Sequence, residues 1–209
     1  MPPKPTARKR LRADERRAQL LETATALFAS RGYARTTTAE LAKAAGVTEP
    51  VIYRHFDSKR DLFVALIEQT AERTLSIWRT ALDQAESPTQ RLEILLASNP
   101  MVALGDEEAL AYRIILQSIT ETDDAAIHAA VSDHFESIHT FVLSEIAAAQ
   151  AGGQVKHSVE PPLVAWALIE IALGFGVLSA MGVRAHERAA GTTSGTIGLI
   201  RGALLTRPK

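Results

Sequence analysis

Residues 36–56 read TTTAELAKAAGVTEPVIYRHF and predict two short helices joined by a tight glycine turn. Thr37 and Glu40 have the spacing of a capping box, in which a hydroxyl and a carboxylate each accept a hydrogen bond from a backbone amide at a helix start. Leu41, Ala42 and Ala45 would give the first helix an apolar face. Gly46 stands where a residue of left-handed conformation would end that helix.

The second helix of this segment is short and rich in side chains that form hydrogen bonds. Thr48 is predicted to cap it, and Pro50 is tolerated in its first turn. Ile52 and Phe56 lie four residues apart and are predicted to point into the core. The residues that then face away are Glu49, Val51, Tyr53 and Arg54. A short polar helix braced by a preceding helix is an arrangement that fits the major groove of DNA.

Between Arg17 and Leu66, about a quarter of its length, the chain resembles the tetracycline-repressor (TetR) family of bacterial transcription regulators. The matching positions include Leu20, Leu21, Ala24, Leu27, Phe28, Gly32, Tyr33, Thr36, Thr37, Leu41, Ala42, Ala45, Gly46, Val47, Ile52, Tyr53, His55, Phe56, Lys59, Leu62 and Phe63. The remainder fits the family only in length and helical character. The resemblance implies an all-α fold, with an N-terminal three-helix helix-turn-helix domain that binds DNA and a C-terminal helical domain for ligand binding and dimerisation.

Two groups of residues are predicted to contact DNA. Contacts to phosphates, at positions that match those of the family, are expected from Thr36, Thr37, Tyr53, His55 and Lys59. Contacts to bases are expected from the variable face of the recognition helix, which comprises Thr48, Glu49, Pro50, Val51 and Arg54. Glu49 could accept from a cytosine amino group, Val51 could touch a thymine methyl, and Arg54 could reach guanine or a phosphate. Tyr53 packed on the first helix and Lys59 as a solvated helix-start lysine remain the structural alternatives.

Charge is unevenly distributed along the 209 residues, although the net charge is only −1. Residues 1–60 contain 13 Lys and Arg against 6 Asp and Glu, whereas residues 61–209 contain 10 against 18. A basic N-terminal part followed by an acidic remainder predicts a polyanion partner for residues 1–60 alone. Residues 1–13 form a predicted basic, flexible arm that either follows DNA or only aids solubility. The helix-turn-helix domain is expected over residues 14–57 and the effector-binding and dimerisation domain over residues 58–209.

The composition favours a cytoplasmic protein. The chain has no cysteine, so disulfides and thiolate chemistry are excluded. The basic start lacks the apolar stretch of a signal peptide. Helices are expected from Asp14 to Ser30, from Ser58 to about Leu82, from Ser87 to Asn99, from Asp106 onward, and from Asp123 to Ala151, with Gly152 and Gly153 closing the last.

Residues 161–183 contain a single charge, Glu170, and are long enough to raise a transmembrane interpretation. A charge near the middle is costly in lipid and no second span accompanies it, so no membrane partner is expected. We expect instead a helix that packs on its own domain by one side and on a partner by the other. Together with residues 196–205 it looks like the helix pair that, in the family resembled, forms a four-helix dimer interface, so a homodimer through residues 161–205 is predicted. A central core helix of a monomer is the alternative.

A small-molecule pocket is the remaining implication of the resemblance. The candidate lining residues are Trp78, Tyr112, Leu116, Gln117, Phe135, Ile138, Phe141, Trp166 and Glu170. Each is open to a core-packing role, and only Gln117 and Glu170 are polar in apolar surroundings. The pocket would favour a hydrophobic or amphipathic effector, whose identity, like the operator and the regulated genes, is not in the sequence.

Catalytic interpretations are weak. There is no nucleophile elbow, and Gly174 and Gly176 lack the third glycine and preceding strand of a dinucleotide loop. His134 and His139 are too far around a helix to share a metal without another segment. The sequence therefore predicts no catalytic residues, no metal and no cofactor, and it favours a ligand-responsive repressor. A helical small-molecule-binding protein or an enzyme without a DNA-binding role is the alternative.

Overall fold

The computed structural model describes residues 12–97, 113–121, 123–181, 183 and 192–206. Its helices are Ala13–Arg31 (α1), Thr38–Ala45 (α2), Glu49–Ile52 (α3), Lys59–Leu82 (α4), Pro88–Ala97 (α5), Ala125–Ala151 (α6), Pro161–Ala180 (α7) and Thr192–Leu204 (α8). Residues 113–117 are also helical and lead into a 3₁₀ turn at Ser118–Thr120. The β pairing in these ranges is an isolated antiparallel bridge between Val155 and Leu205. The all-α prediction is confirmed.

The chain forms two compact units, residues 1–65 and 66–209, and the division falls inside α4. Residues 1–11 of the predicted arm, the predicted helix start at Asp106 and the candidate Tyr112 lie outside the described residues. The end of the predicted arm overlaps α1, which begins at Ala13. The functional boundary after residue 57 stays a prediction, since the division of the fold concerns packing alone.

Aromatic rings close the core of the first unit. Phe28 of α1 is fully buried and meets Phe63 of α4 edge to face, with ring centroids 5.6 Å apart. Tyr33 stacks on Phe63 at 4.3 Å. Ring pairs in such arrangements add roughly 0.5–1.5 kcal/mol to the stabilisation that area burial provides. Ile52 and Phe56 are buried as predicted, so α3 is fixed to this core by its inner side.

The helix ends of the first unit follow the capping signals with one exception. The Thr37 hydroxyl accepts from the Glu40 amide at 3.2 Å, and Glu40 Oε2 accepts from the Thr37 amide at 2.9 Å, so the predicted capping box is present. Gly46 ends α2 with φ 65°, a value that favours glycine. Thr48 precedes α3 in extended conformation, but its side chain makes no capping hydrogen bond, so that prediction is corrected.

The second unit has its own apolar core, which α4 to α7 and the bridge at Val155 contribute to. Its buried members are Trp78, Leu82, Leu92, Leu95, Ile138, Val142, Ile146, Ala149, Val155, Ala165 and Ile169. Arg91 of α5 donates to both carboxylate oxygens of Glu145 on α6, each at 2.7 Å, and to the carbonyl of Leu82 at 3.0 Å. This bidentate pair therefore holds the ends of α4, α5 and α6 together.

Helix α7 is half packed and half exposed. Ala165, Ile169 and Ala172 are buried against the unit's core, whereas Leu163 is 68% exposed and Ile171 46% exposed. By length and composition, residues 161–178 would be able to cross a membrane, and among the described helices no other has this property. The observed half-packing matches the expectation that one side of this helix meets its own domain.

Candidate nucleic-acid interface

Helix α2 and the start of α3 are joined by a hydrogen bond between side chains. The Thr38 hydroxyl donates to Oε2 of Glu49 at 2.7 Å. The Tyr53 hydroxyl lies 3.4 Å from the Thr38 oxygen. These contacts fix the outer side of α3 to α2, while Ile52 fixes its inner side to the core.

The predicted base-contacting residues lie on the outer side of this motif. Thr48, Pro50 and Arg54 are exposed, and Glu49 and Val51 are partly exposed. Because Ile52 and Phe56 occupy the buried side, the structure brings these five side chains together on the solvent side of α3 and the turn that follows it. Such a surface, one short helix wide, has the dimensions that a major groove admits.

The predicted phosphate-contacting residues divide into accessible and inaccessible ones. Tyr53 is 48% exposed, His55 is partly exposed and Thr37 is exposed. Thr36 is only 1% exposed, its hydroxyl donates to the Gly32 carbonyl at 2.8 Å, and its amide donates to the Tyr33 carbonyl at 3.2 Å. The expectation that Thr36 offers its hydroxyl or amide to a phosphate is therefore corrected, because both groups are used inside the unit.

Lys59 is partly buried and its ammonium group has partners within the first unit. Nζ donates to the carbonyls of Tyr33 at 3.0 Å and Thr36 at 3.1 Å. It also lies 4.3 Å from the centre of the Tyr33 ring. Lys59 thus closes the loop between α1 and α2 onto the start of α4, so its third N–H donor is the one left for a phosphate.

The capping box also affects the charge at the start of α2. Hydrogen bonds from the amide and hydroxyl of Thr37 hold the pKa of the Glu40 carboxyl below its ordinary value, and the nearby Arg31 acts in the same direction. Arg31 Nη1 lies 2.9 Å from Glu40 Oε1. Glu40 is therefore held in its charged form, and Arg31 offsets its negative charge.

Comparisons with known proteins identify the family. A sequence model described as "Bacterial regulatory proteins, tetR family" matches residues 20–66, which contain α2, α3 and most of their packing partners. The nucleoid occlusion factor SlmA from Marinobacter nauticus is 32% identical over 146 residues, which are 70% of this chain and 72% of that protein. This chain belongs to the tetR family of bacterial regulatory proteins.

Two further proteins are similar to this TetR-family chain. The transcriptional activator FasR from Mycolicibacterium smegmatis is 36% identical over 119 residues, which are 56% of this chain and only 53% of FasR. A protein from Saccharomonospora viridis, described as a transcriptional regulator in complex with choline, has a TM-score of 0.80 at 20% identity. The match covers 93% of this chain and all of that one (100%). The structural match supports the fold alone.

The predicted pocket residues of this TetR-family member occupy different environments. Trp78 and Ile138 are core residues, and Phe135 and Phe141 pack against the same core. Leu116 and Gln117 are partly buried. Glu170 is exposed on α7, and Trp166 is 39% exposed and stacks on His139 with ring centroids 4.5 Å apart. These last two side chains thus lie at the surface of the second unit, and their role in a pocket stays a prediction.

Sequence reasoning missed the buried polar groups of the second unit. Thr70 and Thr74 of α4, Ser118 of the 3₁₀ turn and His134 of α6 are all buried. Burial lowers the pKa of His134 to about 4, and a hydrogen bond to the Ile67 backbone acts in the opposite direction. The pattern that would have found His134 is the stripe of positions 127, 130, 134 and 138, because the other three positions on it are apolar.

The described residues contain no cluster of three or more His, Cys, Asp or Glu side chains able to hold a metal ion. Thr38 was also missed, because its partner Glu49 is eleven residues away on another helix and no local pattern signals the contact.

Proposed function

We propose that this protein is a sequence-specific DNA-binding transcriptional regulator, acting as a homodimeric repressor that a small hydrophobic effector releases from a palindromic operator. The observation that carries the proposal is the α2–turn–α3 motif, in which two buried residues fix a short helix and leave the five candidate base-contacting side chains exposed or partly exposed. The family membership of residues 20–66 supports the same function.

Phosphate binding is assigned to the accessible polar groups around this motif. The start of α2 supplies the amides of Thr38 and Ala39, which have no intrahelical acceptor, and the positive end of the helix dipole favours an anion there. Tyr53 and His55 supply side-chain contacts, and Lys59 supplies its remaining donor together with its charge. The basic arm at residues 1–13 adds charge that favours the approach of DNA.

Dimerisation is assigned to the exposed apolar side of α7 together with α8. Leu163, Ile171 and Leu178 of α7 and Leu199 of α8 are exposed, and Leu199 has 78% of its surface in solvent. Large exposed apolar patches are typical of protein–protein contacts. A second copy of this chain is the proposed partner, and a specific interface of this kind buries about 1,200–2,000 Å² in total. Burial in a dimer also explains an apolar α7 without a membrane.

The effector is assigned to the second unit, where Gln117 is the partly buried one of the two polar candidates. The choline complex shows a ligand for that regulator only. For this chain we propose a compound of hydrophobic or amphipathic character, whose binding shifts α4 and alters the separation of the two recognition helices. FasR is named as an activator, so repression by this chain is a part of the proposal that FasR does not support. A cytoplasmic location follows from this function.

DNA binding by a matched pair of variants tests the proposed function. Arg54→Ala removes an exposed cation beside α3, and Arg79→Ala removes one from the exposed side of α4 in the second unit. We expect Arg54→Ala to weaken operator binding by at least about tenfold and Arg79→Ala to leave it unchanged. If the wild-type protein binds no duplex above the level of a neutral protein, the alternative of a helical small-molecule-binding protein replaces this proposal.

A further inference from the structure

We propose that Thr38 is a positioning residue for base selection, which fixes the Glu49 carboxylate so that its second oxygen selects cytosine in the major groove. The inference rests on the DNA-binding function proposed above. It adds to that function a residue outside the recognition helix and a physical reason for the choice of base.

The direction of the hydrogen bonds follows from the groups involved. A carboxylate only accepts, so the single proton of the Thr38 hydroxyl is donated to Glu49 Oε2 across 2.7 Å. The Tyr53 hydroxyl lies 3.4 Å from the Thr38 hydroxyl oxygen, a long and weak contact for two hydroxyl groups, so a phosphate would replace it without disturbing the bond between Thr38 and Glu49. The short contact to the carboxylate is of the charge-assisted kind, which is stronger than a hydrogen bond between neutral groups.

The other carboxylate oxygen, Oε1, remains available at the surface. Among the described residues the Glu49 side chain makes neither a salt bridge nor a hydrogen bond other than that with Thr38. Its negative charge is thus presented, without a neutralising cation, on the face that meets a polyanion. Such a charge opposes binding unless a donor on the DNA compensates it.

Base edges in the major groove differ in whether they provide that donor. Guanine presents two acceptors and thymine an acceptor and a methyl group, so both repel or fail to satisfy a carboxylate. Adenine presents an amino donor beside the N7 acceptor, whereas cytosine presents its amino group without a neighbouring acceptor on the same base. Glu49 is therefore expected to select cytosine mainly by penalising the other bases.

Thr38 makes this selection sharper because it restricts the side chain. A free glutamate can rotate its carboxylate away from an unsuitable base, and holding it in place otherwise costs rotamer entropy. With Oε2 bound to Thr38, the position of Oε1 relative to the groove is set before DNA binds. Removing the hydroxyl should therefore weaken base discrimination at one position and leave the contacts to phosphates intact.

Selection of binding sites from random duplex DNA tests the inference with three variants. Thr38→Val removes the hydroxyl at nearly constant volume, Thr38→Ser retains it as the matched control, and Glu49→Gln removes the charge at constant shape. We expect the wild type and Thr38→Ser to enrich cytosine at one symmetric pair of positions. Thr38→Val should reduce that enrichment roughly tenfold while the remaining palindrome and its spacing persist.

Glu49→Gln should lose the cytosine preference and bind random duplex DNA several times more tightly than the wild type, because a repulsive charge is removed. The inference is overturned if Thr38→Val selects the same sites as the wild type, if it weakens all positions equally, or if Glu49→Gln keeps the cytosine preference. Melting temperatures of all three variants show whether each is folded. A wild type that enriches no palindrome would instead overturn the proposed function itself.

Discussion

At the scale of single residues, Lys59 shows how one side chain serves the fold and the proposed contact with DNA. Two of its three N–H donors bind the carbonyls of Tyr33 and Thr36, and its charge lies over the Tyr33 ring. Thr36 is buried in the same loop, which Lys59 holds against the start of α4. Their places at helix starts and the family resemblance predicted both residues as phosphate contacts. Which polar groups remain accessible is decided by the packing of the α1–α2 loop on α4.

Replacing Lys59 should therefore affect stability and DNA binding together. Lys59→Ala is expected to lower the free energy of unfolding by about 1–3 kcal/mol, because two partly buried carbonyls lose a charged donor. It should also weaken binding to all duplexes alike and reduce the salt dependence by about one charge per subunit. Urea denaturation and salt titration measure the two effects. Arg60→Ala, which removes the same charge from the next, exposed position, should leave the unfolding free energy nearly unchanged.

His134 predicts a pH dependence of stability. Burial lowers its pKa from 6.5 to about 4. Between these pH values the histidine is protonated in the unfolded chain and neutral in the folded chain. The wild type should therefore lose up to about 3 kcal/mol of stability as the pH falls from about 6.5 to about 4, and no more from this residue below that. The measurement is the difference in unfolding free energy between the wild type and His134→Gln across this range. A difference independent of pH would contradict the assignment.

At the scale of helices, agreement between sequence and structure depends on how local the signal is. The end of α4 at Leu82, the starts of α4 and α5 next to Ser58 and Ser87, and the end of α6 at Ala151 are set by neighbouring residues, and each was predicted. The start of α6 was predicted at Asp123 and lies two residues later, after the Asp124 cap. The Thr38–Glu49 contact and the buried position of His134 depend on packing between helices, which periodicity alone does not specify. The exposed side of α7 was expected from its composition, but which residues form it required the structure.

That exposed side carries a prediction about assembly. Ile171→Glu places a charge on the apolar face of α7, and Ile119→Glu makes the same change at an exposed isoleucine outside α7 and α8. We expect the wild type and Ile119→Glu to sediment at twice the 22.6 kDa chain mass, and Ile171→Glu to give monomers or aggregates with little DNA binding. A monomeric wild type at micromolar concentration would refute the proposed interface.

At the scale of the whole molecule, the proposed function requires that effector and operator affect each other's binding. A compound that binds the folded second unit should raise the melting temperature. The same compound should weaken operator binding. The operator should weaken binding of the compound by the same factor, because coupling between two sites is reciprocal. Gln117→Ala should reduce both effects and leave operator affinity without effector nearly intact. Equal operator affinity with and without a bound compound would remove the regulatory part of the proposal.

The central claim is that this protein is a dimeric DNA-binding regulator. Its most direct test is to select binding sites with the wild-type protein and then to measure the mass of the protein–DNA complex. A symmetric dimer presents two recognition helices to successive major grooves, roughly 34–36 Å apart for one helical turn. The account predicts an enriched palindrome with half-sites separated by one turn or a wider regular spacing, bound by an even number of chains. An enriched pool without symmetry, or binding by a single chain, would contradict it.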